Sequence, residues 1–442
     1  MVYLHKMGKK ASAIFWILML TVGGRLSMSA QTPTPWAVLL CKYRDNLTNP
    51  PVPNFINLCQ SFFTPAGAGT YNAMEYFQDM SGGTLDLSGS QVFGWLTLNQ
   101  DSTYISNDPY QGPGPLGTEA RQAEVIALAK QTARQAGVPL DNYFGVVLIF
   151  NLFHASTQGG AWEGTPGVFT GYNFVTDGGT ALAGQEMGHG YGLDHSRKNG
   201  STEDYQDAWD AMSSLNTHSD PDPNYGPRGP GLNAWNLRGR RWLNESRVWR
   251  GPGSGFSHVV QLRPLHRREL PGLLAAELPP NDGSEGHGRY LVEFRMKEKW
   301  DSGIPRSAVL VHRFEGDIGQ FLGSHSYIMH GTQGQLDLVA GDRFESTASA
   351  KVEVLNIDEV NRTATVRLSY NLDRPARYVD KYYTGGTVDG SFAHPYKRIT
   401  DAYNAAINGD AIFVRAADYD ETFPPMNKQL MIDSYLGAAT LR

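Results

Sequence analysis

The chain has 442 residues, 40% of them hydrophobic and 19% charged, with 49 Gly, 25 Pro and a formal net charge of −6. That length exceeds one ordinary core and suggests two to three domains, and the composition excludes a disordered chain in favour of a loop-rich, strand-rich globular one. An acidic balance without a basic block excludes the electrostatic footprint of a nucleic-acid binder.

In chain order, residues 1–30 read as a signal peptide: Lys6, Lys9 and Lys10 precede an apolar run from Ala13 to Val22, and small residues follow around Ser27, Ser29 and Ala30. The run is shorter than the roughly 20 residues a membrane span needs, and no later segment qualifies. The expectation is a secreted protein without a membrane span after cleavage, with a retained anchor as the alternative. Losing Lys6, Lys9, Lys10 and Arg25 with this segment takes the formal net charge from −6 to −10. Cys41 and Cys59, the only cysteines, form the simplest possible disulfide in an oxidising compartment; two buried thiols are the alternative.

From Trp36 to about Asn244 strands and helices alternate, which predicts a mixed α/β domain over 31–245. WAVLLCKY (36–43) is an apolar strand, and YNAMEYFQDM (71–80) is a helix with Ala73, Phe77 and Met80 on one face. LDLSGSQVFGWLTL (85–98) returns as strand. A second helix runs from a cap at Thr118 to a left-handed exit at Gly137, with Val125, Leu128, Ala129 and Thr132 inward. FGVVLIFNLF (144–153) reads as a buried central strand and GVFTGYNFV (167–175) as a more exposed one, able to align an extended peptide. GLNAWNLRGRRWL (231–243) closes the domain as a helix. The texture then becomes alternating strands, VVQLRPL, YLVEFRM, AVLVHRF, KVEVLNI and TATVRLSY, which predicts an all-β, sandwich-like module over 246–370.

The segment 371–442 changes again. A short helix (Ile399 to Ile407), Asn-Gly-Asp and short strands resemble the opening of a right-handed parallel β-helix of the pectin-lyase-like kind. One or two coils cannot bury their own stacking face, so the expectation is a partial β-helix that continues beyond Arg442 or caps the β module.

The chemistry gathers in GQEMGHGYGLDHS (184–196). In a helical TALAGQEMGHG (180–190), positions 185 and 189 lie on one face, so two ligands there can share a metal, and Glu186 can act as general base toward an attacking water. Gly190 and Gly192 end the helix and let the chain bring His195 back from the far side. Asp204, Asp207 and Asp210 in EDYQDAWDAM lack EF-hand spacing and read as a solvated or structural acidic run rather than a calcium site.

QEMGHGYGLDH resembles the metzincin signature H-E-x-x-H-x-x-G-x-x-H at every fixed position except the first, where Gln185 stands. WDAMSS, with Met212 seventeen residues after His195, resembles the Met-turn of that clan. The stretches DMSGGTLDLSGSQVFGW and EFRMKEKWDSGIP are further similar to secreted metalloproteases of the immune-inhibitor-A and gametolysin type. The resemblance implies a zinc-dependent endopeptidase acting on peptide or protein substrates: His189 and His195 as Zn2+ ligands, Gln185 as a weak or lost ligand, Glu186 as general base and proton shuttle, and Met212 as the floor. Gln185 offers only a neutral amide oxygen, which makes an impaired pseudoprotease that binds peptides or surfaces the alternative. A third reading, from another class, is a carbohydrate-binding or adhesive protein contacting polysaccharide or a cell surface through its β modules.

Overall fold

The computed structural model describes residues 31–108, 112–113, 119–153, 157–162, 164–252, 255–279, 289–314, 325–346, 349–422 and 425–442. The predicted signal peptide over 1–30 and the Thr118 cap lie outside the described residues. The protein is mixed α/β, with many strands and few helices, and among the described residues no sheet closes into a barrel.

The first layer is a five-stranded sheet built from β1 (Trp36–Tyr43), β2 (Gln91–Leu98), β3 (Gly145–Phe150), β4 (Gln158–Trp162) and β5 (Thr165–Gly171), in the order β2-β1-β3-β5-β4. All neighbours run parallel except β4, which is antiparallel to β5 at the edge. Helices α1 (Phe55–Phe63) and α2 (Ala73–Met80) cover one face, and α3 (Glu119–Gln135) the other. A parallel sheet covered on both faces needs strands that are apolar throughout, and β3, GVVLIF, is buried at every position. Each such aliphatic side chain contributes about 1.5–3 kcal/mol by leaving water. Helix α2 starts on a capping box, with Asn72 accepting from the Glu75 amide at 2.9 Å and Glu75 accepting from the Asn72 amide at 3.3 Å. In α3 the buried stripe is Val125, Ile126, Ala129 and Ala133, rotated from the predicted face, since Thr132 spends its hydroxyl on the Leu128 carbonyl.

The two faces of this sheet decide the fate of the cysteines. Along β1, Trp36, Val38 and Leu40 enter the core shared with α1, where Cys59 sits, whereas Ala37, Leu39 and Cys41 enter the core beneath α3. The expected Cys41–Cys59 disulfide is therefore absent: both are free, buried thiols on opposite sides of the sheet. Burial pushes both thiols well above their ordinary pKa.

After the short helix α4 of the site (Gly179–Gly190), strand β6 (Arg197–Lys198) and helix α5 (Ala234–Gly239) lead to the strand-rich half. A six-stranded sheet combines β6 with β7 (Val248–Arg250), β9 (Ala275–Leu278), β10 (Tyr290–Arg295), β11 (Ala308–Phe314) and β12 (Ser326–Ile328), in the order β6-β12-β11-β10-β9-β7. A second, antiparallel sheet holds β8 (Phe256–Leu262), β13 (Arg343–Glu345), β14 (Ala350–Asp358) and β15 (Thr363–Tyr370), in the order β8-β15-β14-β13. The two sheets share a core that includes Val260, Val292, Val311, Val352 and Val366, so the predicted strands form two apposed layers.

The six-stranded sheet is buried on its other face as well. On β10, Val292 and Phe294 point into the two-sheet core, while Leu291 joins the core of the first layer. With β6 at its edge, this sheet draws residues from both sides of the boundary expected at 245, and residues 31–442 cluster as one unit. In the last segment, β16 (Ala376–Val379), β17 (Ala411–Arg415) and β18 (Met431–Tyr435) stack in parallel register, with α6 (Ile399–Ala405) before β17. Residues 418–419 and 440–441 form a second parallel pair. Among the described residues no helix is long and apolar enough to cross a membrane.

Candidate functional site

Helix α4 carries GTALAGQEMGHG, a sequence with poor intrinsic helicity, because each interior Gly costs about 1 kcal/mol relative to Ala. Tertiary burial holds it instead: every residue from Gly179 to Gly188 is buried. The glycines are where other elements press closest. A Cβ on Gly184 would lie 3.0 Å from the Tyr76 ring of α2, and one on Gly190 would lie 2.7 Å from the Trp36 ring of β1. One on Gly188 would meet Met212 Sδ at 2.9 Å, which places Met212 directly beneath the turn that carries His189. Met212 is fully buried.

The helix ends as its glycines require. The Tyr191 amide donates to Gly188 O, Gly192 adopts φ +84°, and the Leu193 amide also returns to Gly188 O at 3.0 Å. This reversal brings His195 back until its ring centroid is 4.7 Å from that of His189, edge to face at 81°. His189 Nδ1 lies 2.9 Å from the Leu193 carbonyl, and His195 Nδ1 lies 3.0 Å from Asp204 Oδ2. An imidazole that donates through Nδ1 keeps the Nε2 lone pair for a metal or proton. Both histidines therefore have Nε2 as a donor atom.

Gln185 and Glu186 are both 3% exposed. The Gln185 amide Nε2 donates to Glu186 Oε1 at 3.4 Å, while Gln185 Oε1 is buried without a hydrogen-bond partner. An orphaned buried acceptor costs roughly 1–3 kcal/mol, which a cation or a donor at that position would offset. Glu186 also accepts from Thr157 Oγ1 at 3.1 Å and from the Gly159 amide. Burial pushes its carboxyl above the usual carboxylate range, against the opposing pull of His189 and of the Thr157 and Gly159 hydrogen bonds. For His189 burial acts the other way and lowers the pKa, with Glu186 opposing.

Gly159 belongs to β4, the antiparallel edge strand, and packs so tightly on α4 that a Cβ there would fall 2.0 Å from Glu186 O. The expected substrate-aligning strand at 167–175 is thereby corrected. Its strand part, β5, is interior between β3 and β4, and Val168 through Gly171 are buried. The edge strand on that side is β4, Gln158–Trp162.

The acidic run divides into three separate tasks. Asp204 is the carboxylate that orients His195, and Arg197 Nε donates to it at 2.7 Å. Asp207 and Asp210 are fully buried rather than solvated. Asp207 pairs with His312 Nε2 at 2.9 Å. Asp210 caps the turn at Met212 by accepting from the Met212 amide at 2.7 Å, and it also holds Asn236 Nδ2. Burial, and then Asp207, push Asp210 up to about 6. The same buried layer holds Glu293, Arg295 and Asp301, all side chains of the strand-rich half.

Thus Gln185, Glu186, His189, His195 and Met212 are all brought to one place, and the sequence reading missed Asp204 as an orienter, Thr157 and Gly159 as partners of Glu186, and Tyr205 beside His195. Asp204 alone carried a signal, as an acid nine residues after His195. Among the described residues no three His, Cys, Asp or Glu side chains group as a metal site. No family model matches the chain, and no match is found among curated proteins.

Proposed function

We propose that the protein is a secreted zinc-dependent endopeptidase of metzincin type, with Gln185 in the first ligand position. One observation carries the reading: His189 and His195 stand edge to face at 4.7 Å with both Nδ1 atoms engaged, beside Glu186 and the orphaned Gln185 oxygen. The donor set fits zinc through the two Nε2 atoms and, more weakly, Gln185 Oε1. Bound there, the metal would polarise the scissile carbonyl.

This chain's own residues do the rest. Glu186, with its pKa raised by burial, takes the proton of the attacking water and returns it to the leaving amine. Thr157 and the Gly159 amide hold its carboxylate in place. β4, the edge strand that packs on the helix at Glu186, pairs with an extended peptide, main chain to main chain. Asp204 keeps His195 in the tautomer that leaves Nε2 free.

A second reading, a pseudoprotease that binds peptides without cutting them, is favoured by the Gln185 amide donating to Glu186 Oε1. That contact occupies the base and replaces an imidazole with a neutral oxygen. Metal analysis of the purified protein beside Gln185→His separates the two. The enzyme reading expects about one zinc per chain and chelator-sensitive cleavage of casein by the unsubstituted protein. Metal-free, inert protein that gains both on Gln185→His would establish the pseudoprotease.

A further inference from the structure

A cleft of about 1030 Å³ opens where the second, antiparallel sheet meets the stacked strands β16 to β18, and none of the residues around His189 and His195 lines it. Its floor is the outer face of that sheet, opposite the core shared by Val260, Val352 and Val366. Side chains alternate along a strand, so this face takes Val259 and Gln261 from β8, and Thr363 and Thr365 from β15. Where β16 to β18 cover it the face is apolar: Val259 and Leu355 pack with Tyr378, Phe413 and Tyr435. Beyond that cover it turns polar. Gln261 and Asn356 stand opposite Thr365 in register, and Asp358 stands opposite Thr363 at the end of β14.

Two contrasts set this floor apart from an ordinary wet surface. Thr363 and Thr365 are each 4% exposed, and among the described residues the side chains of Gln261, Asn356, Thr363 and Thr365 make no hydrogen bond. Their partners must therefore come from the cleft. The other end of the same face meets solvent with ion pairs instead: Arg343 with Glu353, and Lys351 and Arg367 with Asp373. The walls are aromatic. Trp249 stacks on His258 at 5.3 Å and 6°, and Asp433 of β18 holds that imidazole. Tyr383 spends its hydroxyl on His394 Nδ1 at 2.8 Å, which leaves its half-buried ring, with that of Phe392, as apolar surface. The charged side chains among the described lining residues are spent as well: Arg415 on Asp380, Arg263 on the Pro271 and Asn361 carbonyls, and Asp358 on the Asn361 amide.

We propose that this cleft binds a neutral oligosaccharide. A sugar ring carries hydroxyls round its rim, each both donor and acceptor, and C–H groups on its faces. Amide and hydroxyl side chains match the rim, and aromatic rings match the faces. With no unspent charge among the described lining residues, the cleft does not suit a phosphate or an acidic sugar, which call for a free cation. A peptide laid as a strand needs a sheet edge, whereas this floor is a sheet face. The volume is that of a large small-molecule site, room for several sugar units in a row. The inference is independent of the peptidase reading, because the cleft shares no residue with the histidine site.

The test measures binding of cellohexaose, laminarihexaose, mannohexaose and chitohexaose to the full-length mature protein by calorimetry, with hexagalacturonate as the acidic comparison. Gln261→Leu and Thr365→Val each remove a polar partner from the floor while keeping side-chain size, and thermal unfolding checks that both variants fold. The expected result is binding of at least one neutral hexasaccharide, weakened about 10-fold in each variant, and no binding of hexagalacturonate. Hydrogen exchange on the unsubstituted protein locates the site without a variant: the bound sugar slows exchange in 258–263, 356–365 and 433–437. Failure of all four neutral probes to bind overturns the proposal, as does binding of hexagalacturonate alone. Protection confined to other segments, or affinity unchanged in both folded variants, overturns it equally.

Discussion

His312 lies where the turn at Met212 meets the six-stranded sheet, fully buried, with Asp207 on Nε2 at 2.9 Å and Glu293 3.5 Å from Nδ1. Burial alone would lower its pKa, but Glu293 and Asp207 outweigh burial and raise it to about 10 from 6.5. A histidine whose folded pKa is raised contributes stability fully below its unfolded pKa and loses it as pH climbs toward the folded one. From pH 6.5 to 10 the folded state holds one proton more than the unfolded state, so stability falls by about 1.4 kcal/mol per pH unit, to a total of at most about 5 kcal/mol. Asp210, raised to about 6, is mostly titrated by pH 7 and adds little slope above it. In His312→Gln the slope from this group disappears, and at pH 7 the variant is destabilised by about 3–5 kcal/mol because Asp207 and Glu293 stay buried without their cation. Urea unfolding of both proteins at pH 7, 8 and 9 measures the difference. Parallel loss of stability with pH in the two proteins would refute the reasoning.

Three further outcomes follow from the geometry. Gly159→Ala forces a Cβ to within 2.0 Å of Glu186 O, so we expect a loss of about 1–3 kcal/mol, read by thermal unfolding, with faster amide exchange confined to β4 and α4. Asp204→Asn removes the charge that orients His195 and is expected to weaken zinc binding about 10–100-fold, measured by chelator competition; unchanged affinity would detach Asp204 from the site. Alkylation of the denatured, unreduced protein should label both Cys41 and Cys59, and mass spectrometry finding neither labelled would contradict the free thiols.

What could be read from the residues follows the range of the interactions concerned. Helix α2 and the end of α4 were legible because their determinants are local: Asn72 and Glu75 three apart, Gly192 at the reversal, His189 one turn after Gln185. Strand β3 was legible because an unbroken apolar run has few other uses. Strand order is not local. Nothing in GVFTGYNFV announces that β4 will pair outside it and make it interior. The parity of WAVLLCKY separates Cys41 from Trp36, but which face of the sheet receives α1 and Cys59 is decided by packing far along the chain. Glu293, Arg295 and His312 look like the wet face of alternating strands. They are buried because the sheet that carries them is covered on both sides, and His312 pairs there with Asp207, one of the acids near Met212 that the sequence presents as a solvated or structural run.

Strand β6 is only Arg197 and Lys198, yet it runs parallel to β12 at the edge of the six-stranded sheet, two residues after His195. His325, next to that strand, faces the His195 carbonyl at 2.9 Å through Nδ1. His195 is therefore registered against a strand more than a hundred residues downstream. Such a seam makes the strand-rich half a jig for the site rather than a detachable accessory: a fragment cut at 245 would free the histidine loop from its template. Grafting this helix onto another scaffold would have to bring that edge with it.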